Sequence, residues 1–425
     1  MAMKVLAQKL ERLADLVDKQ GCLYDLQEQT GQRSSSDPVT YEAHRLNEET
    51  RDHGREISKA CRELASQVQD PVETLIEVAW SYTSSAALAV ALDLNVFQNL
   101  DPGETGTPIE QLAKKCGASE GLLKRIMRLC AHKSISEEFA PGRYRHTRAS
   151  RALLDEGTSA LVQYLVEDGL RCGAYLSETV RENDYQILEN RYRAPFCRAF
   201  ATTSDFYEYY ALVDKKRGAK FDRAMAGFYD GIWDRPQEVI FPFHHLPSGA
   251  TIVDVGGGRG QNSFRLGIRY PHLSFVVQDL EIVIEAAKRD ANVPSSMLNR
   301  LQWKTHNFFD AQPVTGADVY LLSHVLMDHF DSDCKRILRR LADTMTTSNS
   351  RILIHDYVDG EKLVSQRSEL ADMLEIHGIS CQNTRFRSIS EWKSLLDESR
   401  KGLVLHNVWE YEGGAALMEV KLEEL

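Results

Sequence analysis

Thr251-Ile-Val-Asp-Val-Gly-Gly-Gly-Arg-Gly260 decides the fold. Its β-branched half reads as a buried strand. Its three consecutive glycines read as a tight turn that lets a ligand or another backbone come close. Strand candidates at 275–278, 301–304, 319–322 and 351–356 join the one at 252–255, and helical segments at 260–270, 281–290, 331–345 and 391–399 alternate with them. That alternation predicts an α/β fold with a doubly wound, mostly parallel Rossmann-like sheet. Segments 405–412 and 416–422 predict a closing antiparallel hairpin.

In an open sheet of this kind a ligand lies beyond the carboxyl ends of the strands. Gly256, Gly258 and Gly260 follow a G-x-G-x-G rhythm. The dinucleotide fingerprint asks for a glycine at 261, where this protein has Gln261, and no P-loop pattern is present. Phe275-Val-Val-Gln-Asp279 ends the next strand on a carboxylate about twenty residues beyond the glycines, where it can accept both hydroxyls of a ribose. A nucleoside cofactor is therefore expected.

The apolar fraction of 43% and the charged fraction of 27% are those of an ordinary globular protein, and 425 residues are enough for two domains. The net charge of −11 argues against a nucleic-acid partner. The eight cysteines are scattered without CxxC pairs, which predicts reduced thiols, no zinc or other metal site, and a cytoplasmic setting. Neither a signal peptide nor a membrane-spanning segment is expected, because no run of about eighteen uninterrupted apolar residues occurs.

The organisation predicted is an N-terminal, mostly helical domain over 1–155 and a cofactor-binding domain over 156–425, the latter opening with a helical linker at 156–220. Segment 1–29 has leucines at helical spacing, 30–38 reads as a loop, and 42–68 reads as charged helix. A further helix starts at Asp70-Pro71 and runs through Trp80 into Ala-rich sequence. These apolar faces predict burial against a second copy in a homodimer. Thr107 reads as a helix cap with Pro108 at the first helical position. A second helix follows from Gly117, then a hairpin through Pro141-Gly142. Helix, turn, helix, hairpin is a winged-helix order. Lys124, Arg125 and Arg128 are too thin a cluster for a DNA-reading helix.

From about Val72 onward the sequence resembles the large S-adenosylmethionine-dependent O-methyltransferases of plants and fungi. The matching stretches include Thr107-Pro-Ile-Glu-Gln-Leu-Ala113, Tyr144-Arg-His-Thr147, Phe221-Asp-Arg-Ala-Met225, Val253–Gly260, Val277-Gln-Asp279, Asn307-Phe-Phe309, Gly316–Leu322 and Asp331–Leu338. The resemblance implies a methyltransferase core, an N-terminal winged-helix-like dimerisation domain and S-adenosylmethionine as cofactor. It places the cofactor against Gly256, Gly258, Asp279, Asn307, Phe308 and Ser323.

The resemblance fails at the chemistry. O-methylation needs a base for the acceptor hydroxyl. In the family this is the His of a Leu-His-Asp-Trp segment. Here the segment reads Leu326-Met-Asp-His329, and a thioether takes no proton near neutral pH. Family members commonly read Glu-Arg-Thr-x-x-Glu-Trp where this protein reads Phe386-Arg-Ser-Ile-Ser-Glu-Trp392, so Phe386 replaces a carboxylate that orients the base. Asp356 remains as a second acidic position. His324 and His329 stand near enough in sequence to serve as a relocated base, which keeps O-methylation open as an alternative. A non-catalytic relative is the third reading.

A pocket that keeps the cofactor and discards the base resembles the fungal S-adenosylmethionine-dependent pericyclases of 2-pyridone alkaloid pathways, the leporin-type group. That resemblance implies stereoselective dehydration of a polyketide-derived pyridone alcohol, then a pericyclic ring closure beside an unconsumed sulfonium. His146 is the candidate for the group's histidine, or else a hydrogen-bonded structural residue. Asp328 either orients the substrate or caps the helix beginning near Asp331. Because Met327 cannot donate to a carbonyl as Lys or Arg would, a hetero-Diels–Alder outcome is favoured over an Alder-ene one. Phe206, Tyr209, Met225, His324 and Phe386 are the expected pocket lining.

Overall fold

The computed structural model describes residues 11–12, 54, 56–103, 105–186, 189–231, 240–290, 293–345, 350–360, 368–410 and 414–423. The helix expected over 1–29, apart from residues 11–12, and the loop over 30–38 lie outside them. The protein divides into two compact units, Met1–Thr83 and Ser84–Leu425. In the first, the charged stretch is helical over 56–68. Helix α1, Pro71–Asp93, runs from the first unit into the second. By length and composition alone, α1 is long and apolar enough to cross a membrane. The sequence reading, which asked for about eighteen uninterrupted apolar residues, did not single it out. Ser, Thr and Tyr residues interrupt the apolar run, but between Thr74 and Leu92 only Glu77 is charged.

The winged-helix order is realised in the second unit. Helices α2 (Ile109–Cys116) and α3 (Glu120–His132) are followed by strands β2 (Ser136–Ala140) and β3 (Arg143–His146). Thr107 is not a helix cap. Thr107–Pro108 forms a short strand, β1, paired antiparallel with β3, so the small sheet runs β1-β3-β2. The reason is local: the Thr107 hydroxyl accepts the Asp101 amide at 2.8 Å, and Pro108 stands at the cap position with α2 starting one residue later.

The large sheet has seven strands: β4 (Thr251–Val255), β5 (Ser274–Asp279), β6 (Leu301–Thr305), β7 (Val319–Ser323), β8 (Arg351–Tyr357), β9 (Leu403–Glu410) and β10 (Ala415–Leu422). Their order is β6-β5-β4-β7-β8-β10-β9. The first five are parallel, and the β9–β10 hairpin adds antiparallel to β8. Alternate side chains enter opposite cores, as period-two strands covered on both faces require. Tyr320 and Leu322 of β7, Ile352 and Ile354 of β8 and Met418 of β10 pack in one cluster with Ile337, Leu338, Trp392 and Leu396. Val319, Leu321, Leu353 and Leu417 face the other, with Phe241, Phe243, Leu266 and Met297. At about 1.5–3 kcal/mol per fully buried aliphatic side chain, these two layers hold the sheet.

The helices around it are α7 (Gln261–Arg269), α8 (Glu281–Asp290), α9 (Asp331–Ala342), α10 (Glu369–Gln382) and α11 (Ile389–Ser399), after α4 (Glu156–Tyr164), α5 (Leu170–Glu182) and α6 (Lys215–Gly231). Helix α9 ends before 345. Helix α11 begins two residues earlier than expected, because Ser388 and Glu391 form a reciprocal capping box. Helix α10 was not anticipated. Two short π-helical segments, Leu165–Gly169 and Tyr209–Val213, are joined by the Tyr210 hydroxyl donating to Asp168 at 2.6 Å.

Candidate active site

Strand order reverses at β4: the backbone steps outward to β5 and β6, then returns to β7 on the other flank of β4. A ligand crevice opens beyond the carboxyl ends of strands at such a reversal. Gly256, Gly258 and Gly260 sit there with φ of +70°, +56° and +80°, a region that disfavours side chains. A Cβ on Gly258 would meet nothing within 4 Å, so the turn opens onto free space. The Asp279 carboxylate at the end of β5 accepts the Gly258 amide at 2.9 Å and the Leu280 amide at 2.7 Å. Burial lifts its pKa to about 6, against the pull of those two amides.

The floor of the turn is tight. Asp254, fully buried and hydrogen-bonded by the Ser263 hydroxyl at 2.7 Å, lies beneath Gly257. A Cβ on Gly257 would come within 2.6 Å of the Asp254 carboxyl carbon and 2.9 Å of each oxygen. Gly257→Ala is expected to cost about 1–3 kcal/mol through overpacking. A lower melting temperature and weaker S-adenosylmethionine binding by calorimetry would register it.

A Cβ on Gly256 would stand 3.1 Å from Val325 and 3.7 Å from the Phe308 ring, so Phe308 walls the crevice. Its turn is fixed twice. Asn307 Oδ1 accepts the Phe309 amide at 3.0 Å, and the buried amides of Gln278 and Gln312 exchange hydrogen bonds of 2.7 and 2.9 Å. A carboxylate at a strand end, an aromatic face and open space above a glycine turn fit a nucleoside cofactor. Ser323, the last residue of β7, has its hydroxyl on His355 Nδ1 at 3.0 Å.

Between β7 and α9, Leu326–Asp328 form one 3₁₀ turn. Met327 packs against the cluster formed by Tyr357, Phe386, Ala371 and Ala415. Phe386 stacks on Tyr357 with centroids 5.0 Å apart and planes 15° apart. The His324 ring lies 5.6 Å from Tyr357 and 4.5 Å from His355. Burial lowers the His324 pKa to about 4. His329, enclosed by Phe308, Phe309 and Tyr207, is driven to about 3 by burial and then by Arg191 and Arg387. Both imidazoles are neutral and weakly basic at neutral pH.

Two acids share this turn. Asp356 is completely buried, and burial with Asp328 nearby holds its pKa far above the carboxylate range. Asp328 is half-buried; burial raises its pKa to about 6, and hydrogen bonds from Tyr207 and Gln382 oppose the rise. The Tyr207 hydroxyl donates to Asp328 Oδ2 at 2.6 Å and accepts from Gln382 Nε2 at 3.0 Å. Asp328 is not the cap of α9: the cap position is Phe330, and no side chain bonds there.

The structure thus gathers His324, Met327, Asp328 and Phe386, and moves other expected residues elsewhere. Phe206 is core, packed on Phe196, Tyr210 and Phe221. Tyr209 and Met225 pack against that same aromatic cluster. The residue that reaches the site is Tyr207, which the sequence reading missed. Its signal was the capping box of Asp205 and Glu208, which sets a one-turn helix with Phe206 inward and Tyr207, 37% exposed, outward. His146 is engaged within the winged module: its Nδ1 pairs with Ser150 Oγ at 3.0 Å, and burial lowers its pKa.

Residues 174–401 match the model of the O-methyltransferase domain, and residues 76–156 match the O-methyltransferase dimerisation domain. O-methyltransferase xanE of Aspergillus fumigatus is 34% identical over 372 residues, 87% of this chain and 86% of that protein. Two solved structures superpose closely at 25% identity. One, described as a pericyclic reaction enzyme, gives a TM-score of 0.76 over 87% of this chain and 94% of that one. The other, LepI in complex with S-adenosylmethionine, gives 0.77 over 91% and 98%.

Proposed function

The protein belongs to the O-methyltransferase family and uses S-adenosylmethionine, and from that premise we propose that it is a pericyclase rather than a methyl donor's catalyst. The observation that carries this reading is the box of Met327, Phe386 and Tyr357 where the family's base and its partner stand. A thioether and a phenyl ring at those two positions take no proton from an acceptor hydroxyl. His324, near 4, and His329, near 3, are too weakly basic for the relocated role. The likeness to a pericyclic reaction enzyme and to LepI supports the same conclusion.

The proposed substrate is a polyketide-derived 2-pyridone carrying an alcohol. Asp328, as carboxylate, takes the proton of the pyridone hydroxyl. The C–O bond of the substrate alcohol breaks, and the departing hydroxyl receives that proton and leaves as water. A quinone methide remains, and Asp328 is again ionised. Tyr207 and Gln382 hold the carboxylate through this exchange. Bound S-adenosylmethionine supplies a fixed positive charge that polarises the substrate carbonyl. Met327, Phe386 and Tyr357 then confine the polyene in one near-attack fold, with no cationic donor to divert it from hetero-Diels–Alder closure. His146, bonded to Ser150, is assigned a structural part.

The exposed residues Ile76, Val78, Trp80 and Tyr82 of α1 fall within the dimerisation match, and we assign their burial to a second copy. The seven described cysteines are free, which suits a reducing cytoplasm. The test is incubation with the pyridone alcohol and S-adenosylmethionine. The expected result is cyclised product with no S-adenosylhomocysteine. Stoichiometric loss of the cofactor's methyl group would overturn the reading in favour of O-methylation, and cofactor binding with no turnover would leave only a non-catalytic partner.

A further inference from the structure

We infer that Arg387 is a positioning residue that fixes the reacting turn from behind. This rests on the function proposed above. Arg387 is 3% exposed, and its guanidinium makes three separate contacts. Nη1 donates to the Leu326 carbonyl at 3.0 Å, Nη2 to the His329 carbonyl at 2.6 Å, and Nε to Asp331 Oδ1 at 2.8 Å. Leu326 and His329 are the residues on either side of Met327 and Asp328. One planar group therefore holds both ends of the segment that carries the proposed proton carrier and the pocket wall.

Its own anchorage is rigid. The Arg387 carbonyl accepts the Asp359 amide at 3.0 Å, just past the end of β8, and the guanidinium lies 5.3 Å over the buried Trp392 ring. Three acceptors in three directions demand the fixed fork of arginine. A lysine places one ammonium and cannot span carbonyls at both ends of a turn. Asp331 is the only carboxylate paired with this buried cation among the described residues, and two further donors go to main-chain carbonyls. Charge neutralisation alone does not require that arrangement, whereas fixing the turn does.

The test uses Arg387→Lys and Asp331→Asn in the full-length protein. Arg387→Lys is expected to lower kcat about 100-fold while KM and cofactor affinity by calorimetry stay within about twofold, since a reacting group displaced by about 1 Å loses that much. The cyclised product should move toward the uncatalysed isomer mixture. Asp331→Asn, which keeps both carbonyl contacts, should show a smaller change of the same kind. With methionine methyls labelled with carbon-13, the Met327 signal should shift in Arg387→Lys while methionines far from the turn stay in place. A variant with wild-type kcat, isomer ratio and Met327 signal, and only a lower melting temperature, would make Arg387 a plain structural residue and overturn the inference. Failure of the pericyclase reading shows instead in the wild type, as S-adenosylhomocysteine or as no cyclised product. The Met327 signal tests the clamp in either case.

Discussion

Asp328→Asn should lower the rate of dehydration by about 10²–10⁴, the range that loss of a positioned proton carrier produces. Asparagine keeps the shape of the side chain, so S-adenosylmethionine affinity should stay unchanged. The measurement is single-turnover conversion of the alcohol at saturating cofactor; a loss under tenfold would remove Asp328 from the proton path. Its pH dependence follows from the raised pKa. Burial lifts Asp328 to about 6, so above that pH the group is a carboxylate able to accept a proton, and below it the site is already filled. Activity should therefore fall on the acid side with a midpoint near 6. The titratable or charged neighbours are Tyr207, His329, Asp356 and Arg387. Of these, burial lowers His329 to about 3 and pushes Asp356 well above the ordinary carboxylate range. Tyr207→Phe removes a donor to the ionised form, so the midpoint should move upward.

Asp279→Ala is expected to weaken S-adenosylmethionine binding about 100-fold or more. Hydrogen bonds to a charged group contribute about 1.5–3 kcal/mol each, and a carboxylate at the end of β5 can hold two ribose hydroxyls. Calorimetric titration reads this directly, and Asp279→Asn should recover part of the affinity. The Gly258 amide loses its acceptor in the alanine variant, so melting temperatures must accompany the titration. Affinity unchanged in a folded Asp279→Ala protein would place the ribose elsewhere.

The inner strands β4 and β7 were legible because burial leaves mostly β-branched and aliphatic residues in each run. The glycine turn and Asp279 were legible because their residue types have few other uses at that spacing. Helix α10 was not, since Glu369–Gln382 shows no clear apolar stripe, and it brings Gln382 to the site through tertiary placement alone. Phe206 and Tyr207 show the same limit: adjacent aromatics cannot be sorted into core and pocket until the turn that separates them is known. Thr107 misled because Thr-Pro before a helix has the same signature whether the threonine caps or pairs. Met327 and Phe386 were visible as departures from a family pattern; that they meet against Tyr357 was not.

The two positions that depart from the family pattern lie off the strands of the large sheet. Met327 lies on a turn beyond β7 and Phe386 on the connection between α10 and α11, while the strands beneath them are filled by side chains of two independent cores. Exchange at 327 and 386 therefore bears on the small cluster around Tyr357 and leaves the side chains of those two cores as they are. On the function proposed above, a few positions off the strands separate one reaction from another on this architecture. Overall resemblance among such proteins then tracks shared ancestry of the scaffold, while the reaction must be read from those two positions.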